Sequence, residues 1–272
     1  MMPTRTKHDV VRSLAEDLEQ EQINLHAILT SLDEAQWSRP TPAEGWTIHD
    51  QITHLAHFDF LARLAVAEPE RFAAVKSSIT DLTTYVDSIG PANLSRTGAD
   101  ASSWWTREAS GFIAAVMQAD PHVRVPWFGP DMSLASKVTA RIMEVWAHGQ
   151  DIRDSLSIRP NPSPALPHVA RLGYLAFANS YAVRGLPVPD VPVRVELETP
   201  NGGLWDMGPQ DAANRITGPI DDFCLIVSQR RHVDDTAIRA QGETAAEWML
   251  IAQAFAGDPG SGRHPGQFPR KG

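Results

Sequence analysis

The stretch Arg141-Ile-Met-Glu-Val-Trp-Ala-His-Gly-Gln-Asp-Ile-Arg-Asp154 sets the strongest condition on the fold. Ile142, Met143, Val145, Trp146 and Ala147 leave almost no face of a helix polar, and a helix that is apolar all round is buried. Ser133 offers an N-cap. A helix from Leu134 to about Ser155 would run roughly 30 Å, enough to cross a small bundle. Within it Glu144 and His148 stand one turn apart on one face. A buried carboxylate needs a partner. Two readings meet that need: a Glu–His side-chain pair worth a few tenths of a kcal/mol, or one metal ion gripped from one side by both. Asp151 follows close enough to support a ligand.

The rest of the chain reads as helices first, then a mixed segment. Residues 8–32 carry Val11, Leu14, Leu18, Leu25, Leu29 and Leu32 on one face, with Glu16, Glu19 and Glu21 assigned to the wet side. After the Pro40–Gly45 break, Thr47 and Asp50 form a capping-box pattern. That pattern starts a helix to about Ala67 carrying His54 and His57. Further helices are expected over 70–89 and 101–119, with a loop from Gly90 to Asp100 between them. Pro121 to Pro130 cannot be helix. With Trp127 and Phe128 in it, this loop suits a binding-site wall or a lid on the core.

Prolines from Arg159 to Pro167 read as a linker, followed by a helix over 168–184. The period then changes to two: Val193, Val195 and Leu197 alternate with Arg194, Glu196 and Glu198. Asn201-Gly202-Gly203 signals a hairpin returning through Leu204 to Met207. A second apolar run covers 219–231, and 243–256 reads as helix. The reading is mainly α with a smaller α+β part. An up-down helix bundle occupies 1–158 and a small α+β domain 159–256, with a Gly/Pro-rich tail, 257–272, expected to be disordered.

Composition excludes several functions. The net charge is −9 with no basic face, which argues against nucleic acid. No apolar run reaches the ~18 residues of a membrane span, and the N-terminal residues show no secretory signal. A cytoplasmic protein acting on a small molecule, as monomer or homodimer, is expected. Cys224 is the single cysteine, which rules out internal disulfides and cysteine-based zinc sites. It sits among Phe223, Leu225, Ile226 and Val227 as a buried, inert thiol. Any sulfur nucleophile must therefore be brought in. Of ten histidines, only His54, His57 and His148 stand in core-rich helices. His54 is the better third ligand and His57 its rival.

Gly45-Trp-Thr-Ile-His-Asp-Gln-Ile-Thr-His54 resembles the second-helix motif of the DinB-like metal-binding bundles. Arg141-Ile-Met-Glu144-Val-Trp-Ala-His148-Gly-Gln-Asp151 resembles their later Glu-x-x-x-His-Gly-x-Asp motif. Within that family the chain is similar to the mycothiol-dependent maleylpyruvate isomerases and related thiol transferases of actinobacteria, and more narrowly to a metal-binding subfamily of that group. The resemblance implies a DinB-like bundle followed by a small α/β domain. It makes His54, Glu144 and His148 the metal ligands. It also implies an arginine in the C-terminal domain for the substrate carboxylate, placed here at Arg230 with Arg231 competing. Trp127 is the candidate wall for the cofactor pocket, with Trp46 and Trp146 more readily explained by packing. The Pro-Trp-Phe-Gly-Pro loop and the Gln-Arg-Arg-His run depart from the isomerase pattern.

Two imidazoles and a carboxylate leave a coordination position open, as in catalytic zinc sites; iron, nickel or manganese also suit the set. The resemblance implies mycothiol or a similar thiol as co-substrate, its thiolate attacking a small electrophile. Retention of the sulfur makes a transferase; addition, bond rotation and loss of the thiol make an isomerase. The alternatives are a non-catalytic metal- or small-molecule-binding protein and a metal-dependent hydrolase.

Overall fold

Side-chain caps start the long helices. Thr6 opens α1 (Lys7–Leu29) in a capping box with Asp9, and Asp33 opens the single turn α2 (Glu34–Trp37) in the same way. Thr47 opens α3 (Ile48–Ala67): its hydroxyl accepts the Asp50 N–H at 3.3 Å, and the Asp50 carboxylate takes the Thr47 N–H at 2.9 Å. This is the expected capping box. Such caps contribute about 1 kcal/mol each.

The structure is a computed structural model describing residues 5–159, 162–260 and 262–268. It separates into two units, Met1–Asn161 and Pro162–Gly272. In the first, the expected helix over 70–89 is two helices, α4 (Pro69–Ser78) and α5 (Leu82–Ala92). Asp81 makes the break by accepting the Thr84 N–H at 2.7 Å and capping a new start. Gly90 and Pro91, expected in a loop, close the last turn of α5. Thr97 starts α6 (Gly98–Gln118) three residues early. The non-helical stretch that follows folds as a hairpin. β1 (Arg124–Val125) pairs antiparallel with β2 (Met132–Ser133) and presents Trp127 and Phe128 between them. Ser133 then caps α7 (Leu134–Leu156).

The four long helices close on one another: α1 packs on α6 and α7, and α3 packs on the same two. Leu18, Leu25, Ile52, Leu55, Phe112, Val138, Ile142 and Val145 fill the middle. Glu21 departs from the expected wet side. It is fully buried, with its carboxylate 3.8 Å from the Arg153 guanidinium of α7. The pairing joins α1 to α7, a contact that helical periodicity alone does not reveal.

In the second unit the expected helix over 168–184 is interrupted at Ala176, giving α8 (Leu166–Leu175) and α9 (Phe177–Ala182). β3 (Val193–Glu198) and β4 (Leu204–Met207) form the expected hairpin. β5 (Asn214–Pro219) runs parallel to β3, and β6 (Arg239–Gln241) antiparallel to β5, in the order β4-β3-β5-β6. The apolar run over 219–231 forms α10 (Ile220–Val227), and α11 (Glu243–Ile251) stops short of Gly257. Of the tail expected to be disordered, Gly266 and Phe268 donate backbone N–H groups to Asp235 at 2.8 and 3.2 Å. Ser261 and residues 269–272 lie outside the described residues. The chain is mainly α with a smaller α+β part. No described helix is long and apolar enough to cross a membrane.

Candidate metal centre

α7 is buried on nearly every side, yet Lys137, Arg141, Glu144 and His148 follow one another at spacings of four, three and four along a single face. They form a polar stripe inside the bundle. At its C-terminal end the stripe meets His54 of α3. One ligand atom each from His54, Glu144 and His148 falls within 4.8 Å of the others. The Glu144 carboxylate oxygen lies 3.2 Å from His148 Nε2 and 4.0 Å from His54 Nε2. Metal bonds of about 2.0–2.2 Å to such ligands separate the donors by about 3–4 Å. The spacing therefore fits a single divalent ion. Among the described residues this is the group of His, Cys, Asp and Glu side chains that suits one.

The protonation states follow from the surroundings. Burial, then the neighbouring His148, holds the His54 imidazole well below the usual histidine range, leaving it neutral as a ligand must be. Burial pushes the Glu144 carboxyl up, but the hydrogen bond and charge of His148, with Arg141 and His54, outweigh it. The carboxyl ends below its ordinary range and is ionised.

His148 is oriented by a chain of hydrogen bonds. The Thr41 hydroxyl donates to the Trp46 carbonyl at 2.9 Å, so its oxygen accepts from the Gln51 amide, also at 2.9 Å. That fixes the amide. The Gln51 carbonyl oxygen faces His148 Nδ1, which donates to it. Nδ1 keeps its proton, so Nε2, which hydrogen-bonds Glu144 at 3.2 Å, is the nitrogen that can give up its hydrogen and offer a lone pair to a metal. Gln51 thus occupies the orienting position considered for Asp151. Asp151 itself is fully buried further along α7. His54 Nδ1 is buried without a hydrogen-bond partner, so packing holds that ring. Phe58 lies 4.6 Å from it and Trp46 5.1 Å, ring centre to ring centre.

Trp46 also stacks on His148 at 5.9 Å and 15°. It is the tryptophan that touches both imidazoles. Trp127 lies one ring further out, against Phe58 at 6.2 Å and stacked on Phe72 at 5.4 Å. Trp146 is buried in packing. His57, the rival ligand, turns to the Tyr85 hydroxyl of α5 at 2.6 Å and stays outside the group. Arg230 belongs to the second unit, just past α10, with its guanidinium 2.7 Å from the Ser228 carbonyl.

Glu144 is the most open of the three: its side chain is 26% exposed against 11% for each imidazole. A cleft of about 270 Å³ adjoins His54, lined by Glu44, Trp46, Asp50, Asp87, Ile89 and Gly90 among others. A Cβ on Gly90 would strike the Asp50 carboxylate, so glycine lets α5 close on the start of α3. Sequence reasoning missed Gln51, Asp59, Lys137 and Arg141 as members of this neighbourhood. The stripe at i, i+4, i+7 and i+11 was the available signal.

Comparison with known proteins bears on the family and the fold. The model of the family "Mycothiol maleylpyruvate isomerase N-terminal domain" matches residues 18–153. Two uncharacterized proteins from two strains of Mycobacterium tuberculosis are each 40% identical over 256 residues, covering 91% of this chain and 96% of the relative. Two crystal structures of the mycothiol-dependent maleylpyruvate isomerase, one of them a point mutant, share the fold. The mutant has a TM-score of 0.61 at 12% identity and the other 0.57 at 14%. Each comparison covers 86% of this chain and 95% of the isomerase.

Proposed function

The chain belongs to the mycothiol maleylpyruvate isomerase N-terminal domain family, and from that membership we propose a thiol-dependent isomerase or S-transferase whose metal ligands are His54, Glu144 and His148. The observation that carries the reading is the convergence of three ligand atoms within 4.8 Å from two helices. A divalent ion bound there would lower the pKa of a low-molecular-weight thiol and favour its thiolate. Zinc is the first choice of metal.

The chain's own residues prepare that chemistry. Gln51 keeps the His148 lone pair directed at the site. Trp46 and Phe58 cover the imidazoles and limit water. The cleft beside His54 offers the carboxylates of Glu44, Asp50 and Asp87 as acceptors, which suits the hydroxyl groups of a sugar-like thiol better than an anion. Cys224 is buried, and burial followed by the charge of Asp221 pushes its thiol well above the ordinary range. It supplies no nucleophile, which favours a borrowed one. Arg230 is proposed as a substrate-carboxylate contact on the resemblance alone.

Elemental analysis of the purified protein, followed by thiol consumption with mycothiol and small electrophiles, tests the proposal. We expect about one divalent metal per chain, lost in His148→Ala, with thiol consumption lost in parallel. Metal retained in His148→Ala overturns the ligand assignment. Wild-type protein that holds metal but consumes no thiol leaves a metal-binding protein or a hydrolase.

A further inference from the structure

Two buried basic side chains lie on the same stripe and are not accounted for by metal binding. Lys137 is 1% exposed and Arg141 3%. Arg141 Nε donates to the Asp59 carboxylate at 2.8 Å, while its Nη2 is buried with no hydrogen-bond partner. A buried guanidinium nitrogen left unpaired calls for an explanation, such as a ligand or a water. Lys137 makes no ion pair among those found between described residues; its Nζ lies over the Trp127 ring instead. The two side chains sit one turn apart, and Arg141 is one turn from Glu144. Arg141 is close enough to Glu144 and His54 for its charge to act on both.

Asp59 and Glu144 supply two negative charges and Arg141 one positive one. A divalent ion leaves the neighbourhood at +1, and a thiolate brings it to zero. A monoanion that enters together with a proton taken up by Lys137 keeps it at zero. Trp127, Phe128, Phe72 and Phe58 form an aromatic cluster around this end, a dry setting in which a charge-assisted pair is strong.

We propose that Lys137 and Arg141 form an anion subsite that holds a carboxylate of the electrophilic substrate beside the metal centre. The proposal rests on the thiol-dependent reading above, but its binding test does not. In the free protein, burial and the charge of Arg141 depress the Lys137 pKa, opposed by Glu144 and Asp59. Those three groups are the charges that face it from α7 and α3; on α4, Lys76 reaches only the Trp127 carbonyl. An arriving carboxylate favours the ammonium form, so binding takes up a proton.

The experiment titrates the metal-loaded protein, with no thiol added, with sodium maleate, by tryptophan fluorescence and by calorimetry in two buffers of different ionisation enthalpy. Saturable binding is expected, with a change in Trp127 emission and uptake of up to one proton. Lys137→Met should weaken binding about tenfold or more and abolish the proton uptake, with helicity and metal loading unchanged. Lys137→Arg should restore binding without proton uptake. Wild-type binding in Lys137→Met, no saturable binding at all, or loss in Arg230→Gln instead overturns the subsite. With metal and mycothiol present, Lys137→Met should still consume thiol with an uncharged electrophile and slow only with a carboxylated one. Thiol inertness of the wild type toward every electrophile would overturn the thiol-dependent reading, while the maleate arm still decides the subsite.

Discussion

Gln51 shows how one uncharged side chain sets the chemistry of a charged one. A histidine offered to a metal through Nε2 must carry its proton on Nδ1 and needs an acceptor there. The Thr41–Gln51–His148 chain supplies that acceptor and leaves the amide one orientation. Gln51→Leu keeps the volume of the buried side chain and removes the acceptor. Its expected effect is metal affinity weaker by about 10–100-fold, read by competition with a chromophoric chelator, with the fold intact by circular dichroism. Gln51→Glu keeps an acceptor and should retain most of the affinity. Equal affinities in the wild type and Gln51→Leu would remove Gln51 from the site. The residues Glu144, His148 and His54 could be picked out in the sequence because two share a helix face and the third lies in another core-rich helix. Gln51 could not, since its partner is 97 positions away and glutamine has no motif of its own.

At the scale of elements, one carboxylate fastens three helices. Asp59 of α3 is fully buried, accepting from Arg141 of α7 at 2.8 Å and from the Trp105 indole of α6 at 3.1 Å. Asp59→Ala leaves a buried guanidinium uncompensated, a loss of about 3–5 kcal/mol for a pair of this kind, measured by denaturant unfolding. In the second unit, Tyr181 joins α9 to α11 through its hydroxyl, which donates to Glu247 at 3.1 Å. Burial, then the hydrogen bond and charge of Glu247, pushes its phenol up to about 12. An unfolded chain releases that proton near 10, so the folded state holds more protons between the two values. The contribution is complete below about pH 10 and lost as pH rises to about 12, roughly 2–3 kcal/mol in all. Tyr181→Phe should flatten the alkaline limb of a stability–pH curve. The same scale explains what the sequence did and did not reveal. Capping patterns are local, so the starts of α3 and α7 were legible. The break between α4 and α5 depends on Asp81 capping rather than continuing a helix, and the burial of Glu21 depends on Arg153, far along the chain. Periodicity carries neither.

For the whole molecule, the decisive fact is that the chain's one thiol is buried. The chain has one cysteine, and Cys224 is fully buried on α10, its thiol 3.3 Å from the Leu166 carbonyl to which it donates. Burial raises its pKa, and the thiolate is the reactive form. Native protein should therefore give no reaction with an aromatic disulfide reagent at neutral pH, and one thiol per chain in denaturant. Two consequences can be checked together. Cys224→Ala should keep full thiol-dependent activity, paying only the stability cost of a small core deletion, about 1 kcal/mol. Any thiolate absorbance or thiol consumption seen with the native, metal-loaded protein must then belong to the added thiol. Rapid labelling of Cys224 in the native state, or loss of activity in Cys224→Ala with metal still bound, would place the nucleophile inside the chain and remove the need for a borrowed one.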